Sequence, residues 1–104
     1  MPEFANPFAG NVARQMTREE LIRAVRLDIA AEHEAIHMYT AQAEASEDAL
    51  TRAVLLEIAD EERQHTGELM ELLRRLAPDE QEFLDDGRKE VEELAGRLAS
   101  SAGG

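Results

Sequence analysis

The chain has 104 residues with aromatics at only 4%, so it is one small domain with little bulk for a core, and association with other chains is expected. A surplus of 23 Asp and Glu over 11 Lys and Arg, formal net charge -12, disfavours nucleic acid and anionic membranes as partners and draws cations. The absence of cysteine excludes disulfides, Fe–S clusters and rubredoxin-type iron centres, which leaves oxygen and nitrogen as the only metal donors.

The first stretch, residues 1–16, contains Pro2, Pro7 and Gly10 with Phe4 and Phe8, and reads as an extended arm. Met1 to Gly10 lacks the basic start and apolar centre of a secretory signal, and no apolar run approaches the roughly 20 residues of a membrane span, so a soluble, cytoplasmic protein is expected. Thr17 followed by Glu20 has the form of a capping box and opens a first helix near Arg18. That helix continues to about Ala45, where Ser46, Glu47 and Asp48 favour a turn. A second helix follows to Leu76, completing a hairpin over 17–76. Pro78 marks a bend, and a short C-terminal helix is expected over 77–99, with an interruption at Gly87 conceivable and a flexible tail over 100–104. The expected fold is therefore all-α: an antiparallel two-helix hairpin plus a short C-terminal helix.

The inward stripe of helix 1 runs Val25, Ile29, Glu32, Ile36, Tyr39, Ala43, and that of helix 2 runs Leu55, Ile58, Glu62, His65, Leu69, Leu72, Leu76. Glu32, Glu62 and His65 thus occupy positions where a helix face should be apolar. Burying an ionised carboxylate without a partner costs several kcal/mol, and a bound cation is the simplest compensation. With the turn near Glu47, all three residues lie about 22 to 27 Å from it at about 1.5 Å per residue, so an antiparallel hairpin brings them side by side. A buried pair satisfied by hydrogen bonds is the alternative reading of Glu62 and His65.

The same Glu-x-x-His spelling recurs at Glu34 and His37. At about 100° per residue, however, Glu34 lies about 160° and His37 about 140° from Glu32, off the stripe. His33 and His37, one turn apart, read as a solvated face. Tyr39, two turns beyond Glu32, is a candidate supporting residue that hydrogen-bonds a ligand carboxylate or acts as a redox-active neighbour; a core tyrosine explains it equally well. Glu34, Glu57 and Glu61, with Glu68 beside them, are candidate secondary or inlet sites for cations.

One chain offers two carboxylates and one imidazole, half of what a di-iron four-helix bundle requires. A two-fold homodimer completes both bundle and site, each hairpin contributing Glu32, Glu62 and His65. Carboxylates and imidazoles suit iron in both oxidation states, while zinc and other divalent metals compete for the same groups.

The stretches Ala31 to Tyr39 (AEHEAIHMY) and Asp60 to Met70 (DEERQHTGELM), on a single hairpin, resemble the encapsulated ferritins, the short ferritin-like proteins carried as cargo by encapsulin shells. The similarity covers about Thr17 to Leu94. It implies a ferroxidase using O2 at a two-iron site across a dimer interface, with Glu32 and His65 as terminal ligands and Glu62 bridging. It further implies assembly of dimers into a ring, commonly a decamer, and delivery of ferric iron for mineral storage inside an encapsulin nanocompartment in the cytoplasm. Met38 stands where some members carry tryptophan, and no targeting peptide is evident in Leu98 to Gly104. Two other functions compete with it: a rubrerythrin-like di-iron peroxidase, which usually draws electrons through a Cys-ligated iron, and a metal-free helical scaffold that forms rings.

Overall fold

A computed structural model describes residues 14–103, all of whose regular structure is helical: α1 (Arg18–Ala45), α2 (Ala49–Leu76) and α3 (Glu80–Gly103). The Phe4 and Phe8 part of the expected arm lies outside the described residues.

Each boundary has a local cause. At the start of α1 the Thr17 hydroxyl accepts from the Glu20 backbone N–H at 3.1 Å, and the Glu20 carboxylate accepts from the Thr17 N–H at 2.9 Å, a complete capping box. Arg14 donates to both Glu20 oxygens at 2.8 Å, and this guanidinium, followed by the Thr17 N–H, lowers the Glu20 pKa to about 2. After Ala45 the backbone is extended at Ser46 and again at Asp48, whose carboxylate accepts from the Thr51 N–H at 3.0 Å and caps α2. Arg52 then reaches back to the carbonyls of Ala43 (3.2 Å), which also accepts from the Ser46 N–H, and of Ser46 (2.8 Å), and so ties the start of α2 to the end of α1. Ala77, placed before Pro78 and so pushed out of the helical region, closes α2 at φ -125°, ψ 83°.

The two 28-residue helices of the hairpin pack antiparallel along their length. Val25, Leu73 and Ala77 form the buried cluster at the end remote from the turn, with Ile22, Ile29, Leu69 and Leu76 packed against it. Elsewhere the seam holds Ala43, Ala59 and Thr66. Among the described residues no large side chain is fully buried, so the hairpin alone makes a thin core.

The face of α2 that meets α1 is centred on Ala59, Thr66 and Leu73, one residue round from the expected stripe. Leu55, Ile58, Glu62, Leu69 and Leu76 are half-buried, whereas His65 and Leu72 are exposed. The reason is width: at about 100° per residue, Ala59 and Leu72 lie about 140° apart on the helix, more than one neighbouring helix covers. Val54, 45% exposed, lies in the same sector as Leu72. One flank of the apolar face is therefore packed on α1 and the other is open.

The C-terminal helix differs from the expectation. It has 24 residues, close to the expected length, but it starts at Glu80, passes through Gly87 unbroken and runs on to Gly103, past the expected end at 99. A mid-helix glycine costs only about 1 kcal/mol relative to alanine, and side-chain bonds from Gln81 to Asp85 and from Arg88 to Glu92 brace the turns on either side. α3 leaves the hairpin at its base, tied there by a two-pronged Arg26–Glu80 pair at 2.7 and 3.1 Å, and barely touches it beyond that point. The radius of gyration is accordingly 19.0 Å, against about 13 Å for a compact domain of this size.

Candidate metal centre

Glu32 projects from the middle of α1, and Glu62 and His65 from the middle of α2, where the antiparallel register sets them side by side. One donor atom from each lies within 4.8 Å of the other two. His65 Nδ1 is 3.5 Å from Glu62 Oε2 and 3.8 Å from Glu32 Oε2. Both separations exceed the usual hydrogen-bond range of about 2.7 to 3.2 Å. The trio is thus not a self-satisfied polar pair, which weighs against the hydrogen-bonded alternative.

Glu32 Oε2 is buried with no hydrogen-bond partner. Glu71 and Glu80, by contrast, have theirs: Glu71 bonds Arg74 and Arg75, which lower its pKa to about 2, and Glu80 is held low by Arg26. Among the described residues no Arg or Lys pairs with Glu32 or Glu62. An ionised oxygen in that position is expensive unless a cation accompanies it.

The donor set fits a divalent transition metal. It offers carboxylate oxygen and imidazole nitrogen, which suit iron and zinc. Two donors at about 2.1 Å from one ion stand at most about 4.2 Å apart, so the observed spread needs only a small rotamer contraction. The site is also lopsided. Glu32 and Glu62 side chains are 23% and 21% exposed, while His65, on the open flank of α2, is 49% exposed.

The remaining candidates fall outside this cluster. Tyr39 is half-buried on the same face of α1, two turns nearer the hairpin turn. Glu34, Glu57, Glu61 and Glu68 are exposed, as are His33 and His37, in keeping with their helical phase. Thr66, one residue off the expected stripe, is the buried polar side chain of the seam among the described residues, and its hydroxyl donates to the Glu62 carbonyl at 3.0 Å. Its signal was its spacing, seven residues from both Ala59 and Leu73.

Comparison with known proteins agrees with this architecture. The family model described as Rubrerythrin matches residues 24–98. A ferritin-like-encapsulin shell fusion protein of Pyrococcus furiosus is 44% identical over 91 residues, which are 88% of this chain and 26% of that protein. The encapsulin nanocompartment cargo protein EncC of Myxococcus xanthus is 42% identical over 80 residues, 77% of this chain and 61% of that protein. The chain therefore spans about a quarter and about three-fifths of these two relatives. The crystal structure of the encapsulated ferritin domain from Pyrococcus furiosus superposes with a TM-score of 0.81 at 44% identity, covering 88% of this chain and 93% of that one. Matched by family, by sequence and by fold, the chain belongs to the rubrerythrin family of ferritin-like proteins and, within it, to the encapsulated ferritins.

Proposed function

We propose that the protein is a ferroxidase that binds Fe(II) as substrate between two copies of the chain, oxidises it with O2 and releases Fe(III) for mineral storage. The observation that carries this reading is the convergence of Glu32, Glu62 and His65 within 4.8 Å around a buried, partnerless carboxylate oxygen. Three donors are too few for two iron ions, and the ligand set faces an open flank. A second hairpin docked there by a two-fold axis supplies another Glu32, Glu62 and His65 and closes a four-helix bundle with two ions per dimer.

In that arrangement Glu32 and His65 are terminal ligands, one set to each ion, and Glu62 bridges. Four carboxylates against two Fe(II) ions balance charge in a site that dimerisation removes from water, and they favour the ferric product still more. Two Fe(II) ions lose one electron each; O2 takes both with two protons and leaves as hydrogen peroxide. Tyr39 lies along the same face as a supporting residue, and the exposed Glu34, Glu57 and Glu61 serve as weak secondary or inlet sites for cations. Zinc occupies the same ligands in competition with iron.

The dimers assemble further into a ring, a decamer in the resemblance described above. Support comes from α3, which holds Leu84, Val91, Leu94 and Leu98 between 45% and 67% exposed along one stripe. Storage then takes place inside an encapsulin shell in the cytoplasm. The two relatives, one named as a fusion with a shell protein and one as a shell cargo, support that partner. No described helix is long and apolar enough to cross a membrane.

The test is oxygen consumption with ferric absorbance for wild type and for Glu32→Ala, Glu62→Ala and His65→Ala. Loss of at least about 100-fold in each is expected, as for removal of a group that holds the reacting charge. Wild-type rates in all three end the proposal. Replacing O2 by hydrogen peroxide in the same assay distinguishes the rubrerythrin-like peroxidase reading, which the family description keeps in view; the present reading requires faster turnover with O2.

A further inference from the structure

We infer that Thr66 is a positioning residue for the metal ligands: its hydroxyl clamps the single turn of α2 that carries both Glu62 and His65. The inference rests on the metal reading above and adds a residue to it.

Thr66 stands on the packed seam of α2, 7% exposed, seven residues from Ala59 and seven from Leu73. Those neighbours show that the seam accepts both a small and a large apolar side chain. Threonine is a poorer helix former than either, and it carries a hydroxyl into an apolar contact where the group must find an acceptor. It finds the Glu62 carbonyl, at 3.0 Å.

The α-helical pattern already directs the Thr66 backbone N–H to that carbonyl. Both lone pairs of the Glu62 oxygen are then engaged by one residue, the one immediately after His65. Back-bonding of this kind engages the carbonyl from the side and often bends a helix locally. Here the bond spans the turn between the two ligands, and so is placed to set how the Glu62 carboxylate and the His65 ring are splayed. A metal site tolerates about 0.5 Å of misplacement in its donors. The 3.5 Å separation of His65 Nδ1 from Glu62 Oε2 is therefore a quantity that this bond is placed to control. Support of ligands by neighbouring hydrogen bonds is typically worth about 10- to 100-fold in metal affinity.

The experiment uses the full chain with Co(II) as a spectroscopic probe of the same ligands. Thr66→Val keeps the shape and removes the hydroxyl; Thr66→Ser keeps the hydroxyl. We expect Thr66→Val to bind Co(II) about tenfold more weakly, with altered visible bands and an unchanged or raised melting temperature without metal. Thr66→Ser should restore both the affinity and the bands. A purely structural threonine would instead lower the melting temperature and leave the bands alone. Wild-type affinity and spectrum in Thr66→Val overturn the inference, as does a Thr66→Ser variant weakened as much as Thr66→Val. Should Thr66→Val fail to fold, Thr66→Ala carries the same comparison, because Ala59 already fills the equivalent position one heptad away. A wild-type chain that takes up no Co(II) sinks the metal reading itself, and this inference with it.

Discussion

Glu32 is the residue at which stability and function pull apart. Its Oε2 is buried and partnerless, so the metal-free chain holds a carboxyl group it would be more stable without. Replacing it by glutamine keeps the shape and removes the capacity for charge. We expect Glu32→Gln to raise the stability of the metal-free protein by about 1 kcal/mol, measured by urea unfolding, while abolishing stoichiometric metal uptake. Unchanged uptake would mean that Glu32 is not a ligand. Much of this candidate cluster was legible because an ionisable residue on an apolar stripe violates a simple rule, and phase alone separated Glu62 and His65 from Glu34 and His37, which share the spelling but lie on the exposed face. Thr66 was not legible in the same way. A threonine on a seam breaks no rule strongly enough to stand out, and only its hydrogen bond to the Glu62 carbonyl ties it to the site.

The elements owe their ends to short-range chemistry that sequence states openly. Thr17 with Glu20 and Asp48 with Thr51 are caps readable from spacing, and Ala77 before Pro78 is a stop readable from sterics. Removing the first cap by Thr17→Ala should cost about 1 kcal/mol near neutral pH. The same cap contributes a pH dependence whose sign follows from Glu20. Its pKa in the folded protein is lowered to about 2, below the roughly 4.3 of an unperturbed glutamate. The unfolded chain therefore takes up the proton first as pH falls. The stabilisation is complete well above pH 4.3 and disappears as pH drops towards 2, and it is modest because the group is exposed and screened. Glu20→Gln should thus flatten the fall in melting temperature between about pH 5 and pH 2 relative to wild type; parallel curves would deny the cap this role. The end of α3 was less legible, since Gly87 and the small residues after Leu98 weaken a helix only slightly and local propensity does not decide whether it persists. The flank of α2 that packs on α1 was illegible for another reason. Its apolar face is wide enough for two neighbours, and sequence does not say which flank belongs to the chain's own α1.

At the scale of the molecule, that wide face is the argument for a partner. His65, Leu72 and Val54 lie on the flank that α1 leaves open, beside the candidate ligands. Burying a leucine is worth about 1.5 to 3 kcal/mol, so Leu72→Glu, which removes no candidate ligand, should dissociate the proposed dimer and lower metal uptake with it. Light scattering after size exclusion reads the first effect and metal analysis the second; uptake preserved in a monomer would place the site within one hairpin. The most direct test is native mass spectrometry after anaerobic loading with Fe(II), which reports oligomer and bound metal in one spectrum. The account predicts two iron ions on every loaded dimer and none on the monomer. Iron carried equally well by single chains would contradict it.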